Sequence, residues 1–168
     1  MPHSRAPARP GEVALPFDPG AGPADAGVVF VGRVRTPWRD RDDCPHSIRA
    51  ARERADGAAT VEIDAPYRPG LAGLERASHV ILLYWMDQAR RDLVVQRPRH
   101  LGETRGTFAL RSPVRPNPIA LAVTRLLGVD VEAGRLTVEM VDCLDGTPLV
   151  DVKPYHPSID SVPEATVG

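Results

Sequence analysis

Eighteen prolines and fourteen glycines are spread between short apolar runs across 168 residues, and this spacing limits the chain's folds more than any other feature. Proline fixes φ near −65° and removes a backbone donor, so chains punctuated in this way favour strands joined by structured loops over long helices. With 42% hydrophobic residues the chain has material for one globular domain, which at this length buries roughly two-thirds of its extended surface.

Residues 1–26 are rich in Pro, Ala and Gly and poor in large apolar side chains. Their burial cannot offset the entropy of ordering them, so they are expected to form a flexible N-terminal arm. The domain proper is then 27–168. A first strand is expected over Gly27–Val34, a polar loop over 39–47, a second strand over Ala59–Ile63 and one helical turn within Gly70–Ala77. His79–Met86 is the strongest apolar run and reads as a central strand buried on both faces. Gly106–Leu110, Ile119–Leu127, Leu136–Val141 and Leu149–Val152 follow as further strands. Ile119–Leu127 fits the period of a helix as well. Consecutive strands without long intervening helices predict a mainly β fold, a small antiparallel barrel of six or seven strands with few short helices.

No run is long and apolar enough for a membrane helix, and no signal peptide is evident, which reads as a cytoplasmic chain with no membrane partner. Cys44 and Cys143 lack zinc-site spacing, so no metal is expected and both are read as free thiols. The net charge of −1 conceals a basic stretch running from Arg90 and Arg91 through Arg97, Arg99, Arg105, Arg111 and Arg115 to Arg125.

Two segments have the density of a functional site. Arg111-Ser112-Pro113-Val114-Arg115-Pro116-Asn117-Pro118 is a stiff loop whose planar donors would lose little entropy on engaging a carboxylate, a phosphate or a base edge; a rigid crossover is its structural alternative. Asp142-Cys143-Leu144-Asp145-Gly146-Thr147-Pro148 reads as a tight turn between strands. That turn either serves only the chain reversal or also presents backbone groups and Asp145 to a cofactor. Beyond it, Asp151 and Lys153 share one face of a strand. His79 reads as a satisfied core or capping residue, and His46 and His100 as loop residues. No Gly-rich dinucleotide turn, P-loop or nucleophile elbow is present, which argues against Rossmann dehydrogenases, P-loop hydrolases and acyl-transfer hydrolases.

Four blocks resemble, in order, those of the TrmO (TsaA-like) family: Val31-Gly32-Arg33-Val34-Arg35-Thr36-Pro37-Trp38, Gly70-Leu71-Ala72-Gly73-Leu74-Glu75, Gly106-Thr107-Phe108-Ala109-Leu110-Arg111 running on to Ile119, and Asp142 to Tyr155. The resemblance covers about residues 28–160. It implies a homodimeric β-barrel methyltransferase that uses S-adenosyl-L-methionine to methylate threonylcarbamoyladenosine in tRNA. Positions matching the family's cofactor contacts are Pro45, His46, Ser47, Asp87, Gln88, Arg99, Arg111, Leu144, Asp145, Gly146 and Thr147. Arg115, Asn117, Lys153 and Tyr155 are the expected substrate contacts, and Asp145 and His46 the candidate bases. A methyltransferase acting on a small molecule or another RNA, and a non-catalytic S-adenosylmethionine-binding regulator, are the alternatives.

Overall fold

Alternating apolar residues in the short runs build a closed barrel of six antiparallel strands. The computed structural model describes residues 7–54, 59–98 and 101–167. Among them the strands are β1 (Val13–Ala14), β2 (Gly32–Arg35), β3 (Ala59–Ile63), β4 (His79–Trp85), β5 (Leu93–Gln96), β6 (Arg105–Gly106), β7 (Ile119–Asp130), β8 (Arg135–Val138) and β9 (Thr147–Pro154). Two short helices, α1 (Ile48–Arg52) and α2 (Pro157–Asp160), and three 3-10 turns complete the set. The chain divides into two compact units, one of residues 30–84 with those from 121 on, the other of residues up to 29 with 85–120.

The first unit carries the barrel, in the order β2-β3-β8-β7-β4-β9. Its inward positions are Val34, Val61, Val80, Leu82, Leu136, Val138 and Leu149, all fully buried. Burial of a Val or Leu side chain contributes about 1.5–3 kcal/mol, so this layer dominates the unit's stability. In β3 the residues Ala59, Val61 and Ile63 are buried while Thr60 and Glu62 are not, the alternation a pleated strand requires. β4 alternates in the same way: Val80, Leu82 and Tyr84 point inward and the residues between are half-buried. Burial of this run on both faces is therefore corrected, because a barrel strand has only one inner face. Gly32 faces Ile63 across the β2–β3 ladder. A Cβ at that position would run into the Glu62 carbonyl, so the close approach of the two strands needs glycine.

The second unit holds a three-stranded sheet, β1-β5-β6. Val13 and Ala14, within the stretch expected to be a flexible arm, pair with Val95 and Leu93. Glu12 anchors them. Its side chain is only 2% exposed and accepts from Arg9 Nη2 at 2.6 Å, and from the Arg97 backbone N–H at 3.2 Å. The arginine beside it holds the Glu12 carboxyl at about 2, well below the usual range.

Several expected boundaries move. The first strand begins at Gly32, since from 27 to 30 the chain stays exposed. Of the strand expected over Gly106–Leu110 only Gly106 pairs with β5, together with Arg105 ahead of it; Thr107–Ala109 coils into a 3-10 turn instead. Thr107 causes this, because its hydroxyl turns inward to donate to the Leu93 carbonyl at 2.9 Å, leaving Phe108 84% exposed. Ile119–Leu127 resolves as strand and runs on to Asp130. Between Ala65 and Arg76 the expected helical turn is two 3-10 turns, separated by Gly73 at φ +89°.

Candidate functional site

Trp38 organises the rim of the barrel. It leaves β2 through Thr36-Pro37, is fully buried, and donates its indole N–H to the Val141 carbonyl at 3.1 Å. It forms an apolar cluster with Ala51 and Met140, against which Cys44, Ile48 and Leu144 pack. Cys44 and Ile48 bracket Pro45, His46 and Ser47, while Leu144 opens the Leu144–Thr147 turn. The structure thus brings together two of the segments singled out in the sequence, one from each end of the barrel domain. Ser47 caps α1, its hydroxyl accepting from the Ala50 N–H at 3.2 Å. The Arg54 guanidinium lies 4.2 Å over the Trp38 ring and donates to Asp43, closing the loop from its far side.

The Leu144–Thr147 turn is held from within. Asp145 N–H donates to the Trp38 carbonyl at 2.7 Å, Gly146 N–H to Val34 at 2.9 Å, and Thr147 N–H to Leu144 at 3.2 Å. Gly146 sits at φ +80°, the left-handed conformation that glycine adopts without penalty. One Asp145 oxygen accepts from the Thr36 N–H at 3.3 Å, and the other lies 3.8 Å from Arg35 Nη1. Arg33 donates to the Gly146 carbonyl at 3.0 Å. The expectation that these N–H groups face a ligand is therefore corrected for Asp145, Gly146 and Thr147, whose donors are taken. The Leu144 N–H and the Asp145 carbonyl have no partner among the described residues. His46 is exposed at the loop's apex.

In the other unit, Asp87 and Gln88 are exposed on the turn that follows β4, where Met86 N–H donates to the Pro118 carbonyl at 2.8 Å. That bond sets the turn beside the Pro-rich loop. Arg91 braces the loop, donating to the Pro116 carbonyl at 2.6 Å and to Asn117 Oδ1 at 3.4 Å. Arg115 folds back on the Leu110 and Ser112 carbonyls at 3.2 and 3.3 Å. Asn117 and Arg115 thus have structural duties here. Gln96, fully within this unit, donates to Thr107 Oγ1 and to the Val114 carbonyl, at 2.7 and 2.6 Å. Arg111 is exposed at the loop's start. Arg99, like His100, lies outside the described residues.

Lys153 and Tyr155 lie towards the opposite end of β9 from the turn. Lys153 pairs with Asp151 at 2.7 Å. Tyr155 is half-buried, edge-on to His79 with ring centroids 6.5 Å apart. His79 Nδ1 lies 3.0 Å from the Ser78 hydroxyl. Sequence reasoning missed the organising role of Trp38, whose only signal was its place in the Thr36-Pro37-Trp38 motif. It also missed Tyr84, whose hydroxyl donates to Asp142 Oδ1 at 3.1 Å just ahead of the turn. Burial pushes the Cys44 thiol up to about 11 and the Cys143 thiol further, so neither is an activated nucleophile. Among the described residues no group of three or more His, Cys, Asp and Glu could hold a metal ion. No helix among them is long and apolar enough to cross a membrane.

Residues 33–161 match the model of the tRNA-methyltransferase O N-terminal domain. A probable S-adenosyl-L-methionine-binding protein of Archaeoglobus fulgidus is 44% identical over 139 residues, covering 82% of this chain and 36% of that protein. RcsF of Pseudomonas aeruginosa, named as a candidate S-adenosylmethionine-dependent methyltransferase, is 45% identical over 144 residues, covering 82% of this chain and 60% of its own. A crystal structure of TrmO from P. aeruginosa superposes with a TM-score of 0.68 at 35% identity, covering 88% of this chain and 62% of the other. The chain therefore spans between about a third and two-thirds of the length of these relatives.

Proposed function

Because this chain belongs to the family of tRNA-methyltransferase O N-terminal domains, we propose that it is an S-adenosyl-L-methionine-dependent methyltransferase whose substrate is threonylcarbamoyladenosine in tRNA. The observation that carries the reading is the convergence of the 44–48 loop and the Leu144–Thr147 turn on Trp38. Two backbone segments far apart in sequence are held rigidly by one buried side chain, so a ligand meeting both pays little ordering entropy. The donor set fits the cofactor: the Leu144 N–H and the Asp145 carbonyl are a donor and an acceptor of the kind an adenine edge requires. The Ser47 hydroxyl, exposed at the start of α1, is of the kind that suits a ribose. Asp87, Gln88, Arg99 and Arg111 enter the reading through the family correspondence alone.

When bound, S-adenosylmethionine supplies an electrophilic methyl group on a sulfonium. The rim residues orient and shield; positioning the reacting atoms can supply much of the rate of such a transfer. The acceptor nitrogen must also lose a proton. Between the two candidate bases, Asp145 is engaged by Thr36 and Arg35, whereas the His46 imidazole takes no partner among the described residues. We assign the base to His46 and the bracing of the rim to Asp145. A cytoplasmic homodimer completes the reading. Exposed Leu121 and Leu127 on β7 supply apolar surface for a second copy, which light scattering would detect.

The test is calorimetric titration with S-adenosylmethionine, followed by mass spectrometry of tRNA nucleosides from a strain lacking the gene. Micromolar binding together with loss of the methylated nucleoside is expected. No binding at millimolar cofactor would overturn the methyltransferase assignment; binding with an unchanged nucleoside profile would overturn the tRNA substrate.

A further inference from the structure

A cleft of about 550 Å³ opens in the barrel unit between the two 3-10 turns of residues 65–76 and the end of β9. Along β9 the cleft begins at Val152, five residues past Thr147 of the Leu144–Thr147 turn, roughly 16 Å at about 3.3 Å per residue, and Tyr155 lies further still. It is thus a second concavity and not part of the rim. Small residues make the room: Gly70, Ala72, Gly73 and Ala77 line it, and the reversal at Gly73 holds the two turns apart. Leu71 and Val152 give it an apolar wall, and Arg76, Tyr155 and His156 its polar edge.

Its charge selects the ligand. Among the described residues no Asp or Glu lines the cleft; the acid at its edge, Asp160, accepts from the His156 N–H at 2.8 Å. Several arginines elsewhere are committed to acids, Arg35 to Glu62, Arg54 to Asp43 and Arg90 to Asp92. The Arg76 guanidinium, exposed, has neither a hydrogen bond nor an ion pair among the described residues. The Tyr155 hydroxyl likewise has no partner among them, and its ring is fixed by its edge contact with His79 and by the Tyr155 N–H donating to the His79 carbonyl at 3.0 Å. An aromatic ring held in place and an uncommitted guanidinium, lining one cavity of nucleotide size whose described lining holds no carboxylate, are the combination that recognises a base and its phosphate.

We propose that this cleft holds an unpaired nucleotide of the RNA substrate, its base against Tyr155 and its phosphate on Arg76, about one strand length from the site of methyl transfer. The proposal rests on the RNA-substrate reading above. It makes the cleft a docking site that fixes how the RNA lies across the barrel, and assigns it no chemistry.

The test combines affinity with mapping. The full chain, Tyr155→Ala and Arg76→Gln are titrated by fluorescence anisotropy with a labelled anticodon stem-loop RNA over a salt series, and with S-adenosylmethionine alone. Both substitutions should weaken RNA binding at least about fivefold, the lower bound for losing one stacked base. Arg76→Gln, an exposed change that leaves the fold intact, should also flatten the salt dependence by about 0.7, the value of one single-strand phosphate contact. Affinity for S-adenosylmethionine should not change in either. Photo-cross-linking with 4-thiouridine RNA should label the peptide containing Tyr155. Parent-like RNA affinity in Arg76→Gln, or cross-links confined to other peptides, overturns the cleft as the docking site while leaving the RNA reading intact. A parent chain that binds S-adenosylmethionine but no RNA overturns both.

Discussion

Replacing Trp38 separates stability from site organisation. Its indole is fully buried, donates to the buried Val141 residue's carbonyl, and packs with Ala51, Met140, Cys44, Ile48 and Leu144. Truncation to Ala costs about 3–5 kcal/mol for the lost side chain, and leaving the Val141 carbonyl without its donor adds about 1–3 kcal/mol. That sum approaches the whole stability of a typical domain, about 5–15 kcal/mol, so Trp38→Ala should be largely unfolded. Trp38→Phe is the informative change. It keeps most of the apolar contact and forfeits the indole bond, a loss of about 1–3 kcal/mol. Urea unfolding should show a lower midpoint at constant slope, and calorimetry a severalfold weaker affinity for S-adenosylmethionine. Ile63→Val serves as the control, since it lies in β3 and removes about 0.5–1.5 kcal/mol without touching the cluster. If Trp38→Phe is destabilised yet binds the cofactor as tightly as the control does, the argument that Trp38 organises the two rim segments fails.

His46→Ala should lower kcat by about 100-fold or more while leaving cofactor affinity near that of the parent; an unchanged kcat would transfer the base to another group. Asp145→Asn should instead weaken cofactor binding and leave kcat at saturating cofactor near that of the parent, measured by the same two assays. Gly146→Ala places a Cβ at φ +80° in ordinary contact with Arg35 Nη1 at 3.7 Å and without a clash, so a loss of about 1–2 kcal/mol from backbone strain is expected in urea unfolding. Glu12 titrates at about 2 in the folded chain against an ordinary 4.5; a depressed folded value contributes stability that is complete above about 4.5 and is lost as pH falls towards 2. Hydrogen-exchange protection of the Leu15 N–H, which donates to the Asp92 carbonyl, should fall across that window, and Glu12→Gln should abolish the dependence.

The fold was legible where one physical rule governed a run. Ala59–Ile63 alternates in sequence and in burial because nothing but the pleat acts on it. The Asp145-Gly146 pair reads as a turn because only glycine takes φ +80° there at no cost. Legibility failed where a side chain overrode the run, as at Thr107, whose hydroxyl pulls the backbone out of β6 into a 3-10 turn. At the candidate site the difficulty is of another kind. A sequence displays every donor and acceptor a segment owns, but not which of them the rest of the chain has already taken. Arg115 has the planar fork expected of a ligand-binding arginine, and the structure commits one of its nitrogens, Nη1, to the Leu110 and Ser112 carbonyls of its own loop. Arg76 showed no comparable signal, because what distinguishes it is the cleft it lines, whose described lining holds no Asp or Glu, a property of the fold and not of its neighbours in sequence. Stiffness and availability are therefore opposed in the Pro-rich loop. Each donor that keeps such a loop rigid is one fewer for a ligand, so Arg115→Ala, which removes the Nη1 donor shared by the two carbonyls, should lower stability before it alters RNA affinity. RNA affinity falling first, with the urea midpoint unchanged, would return Arg115 to the substrate.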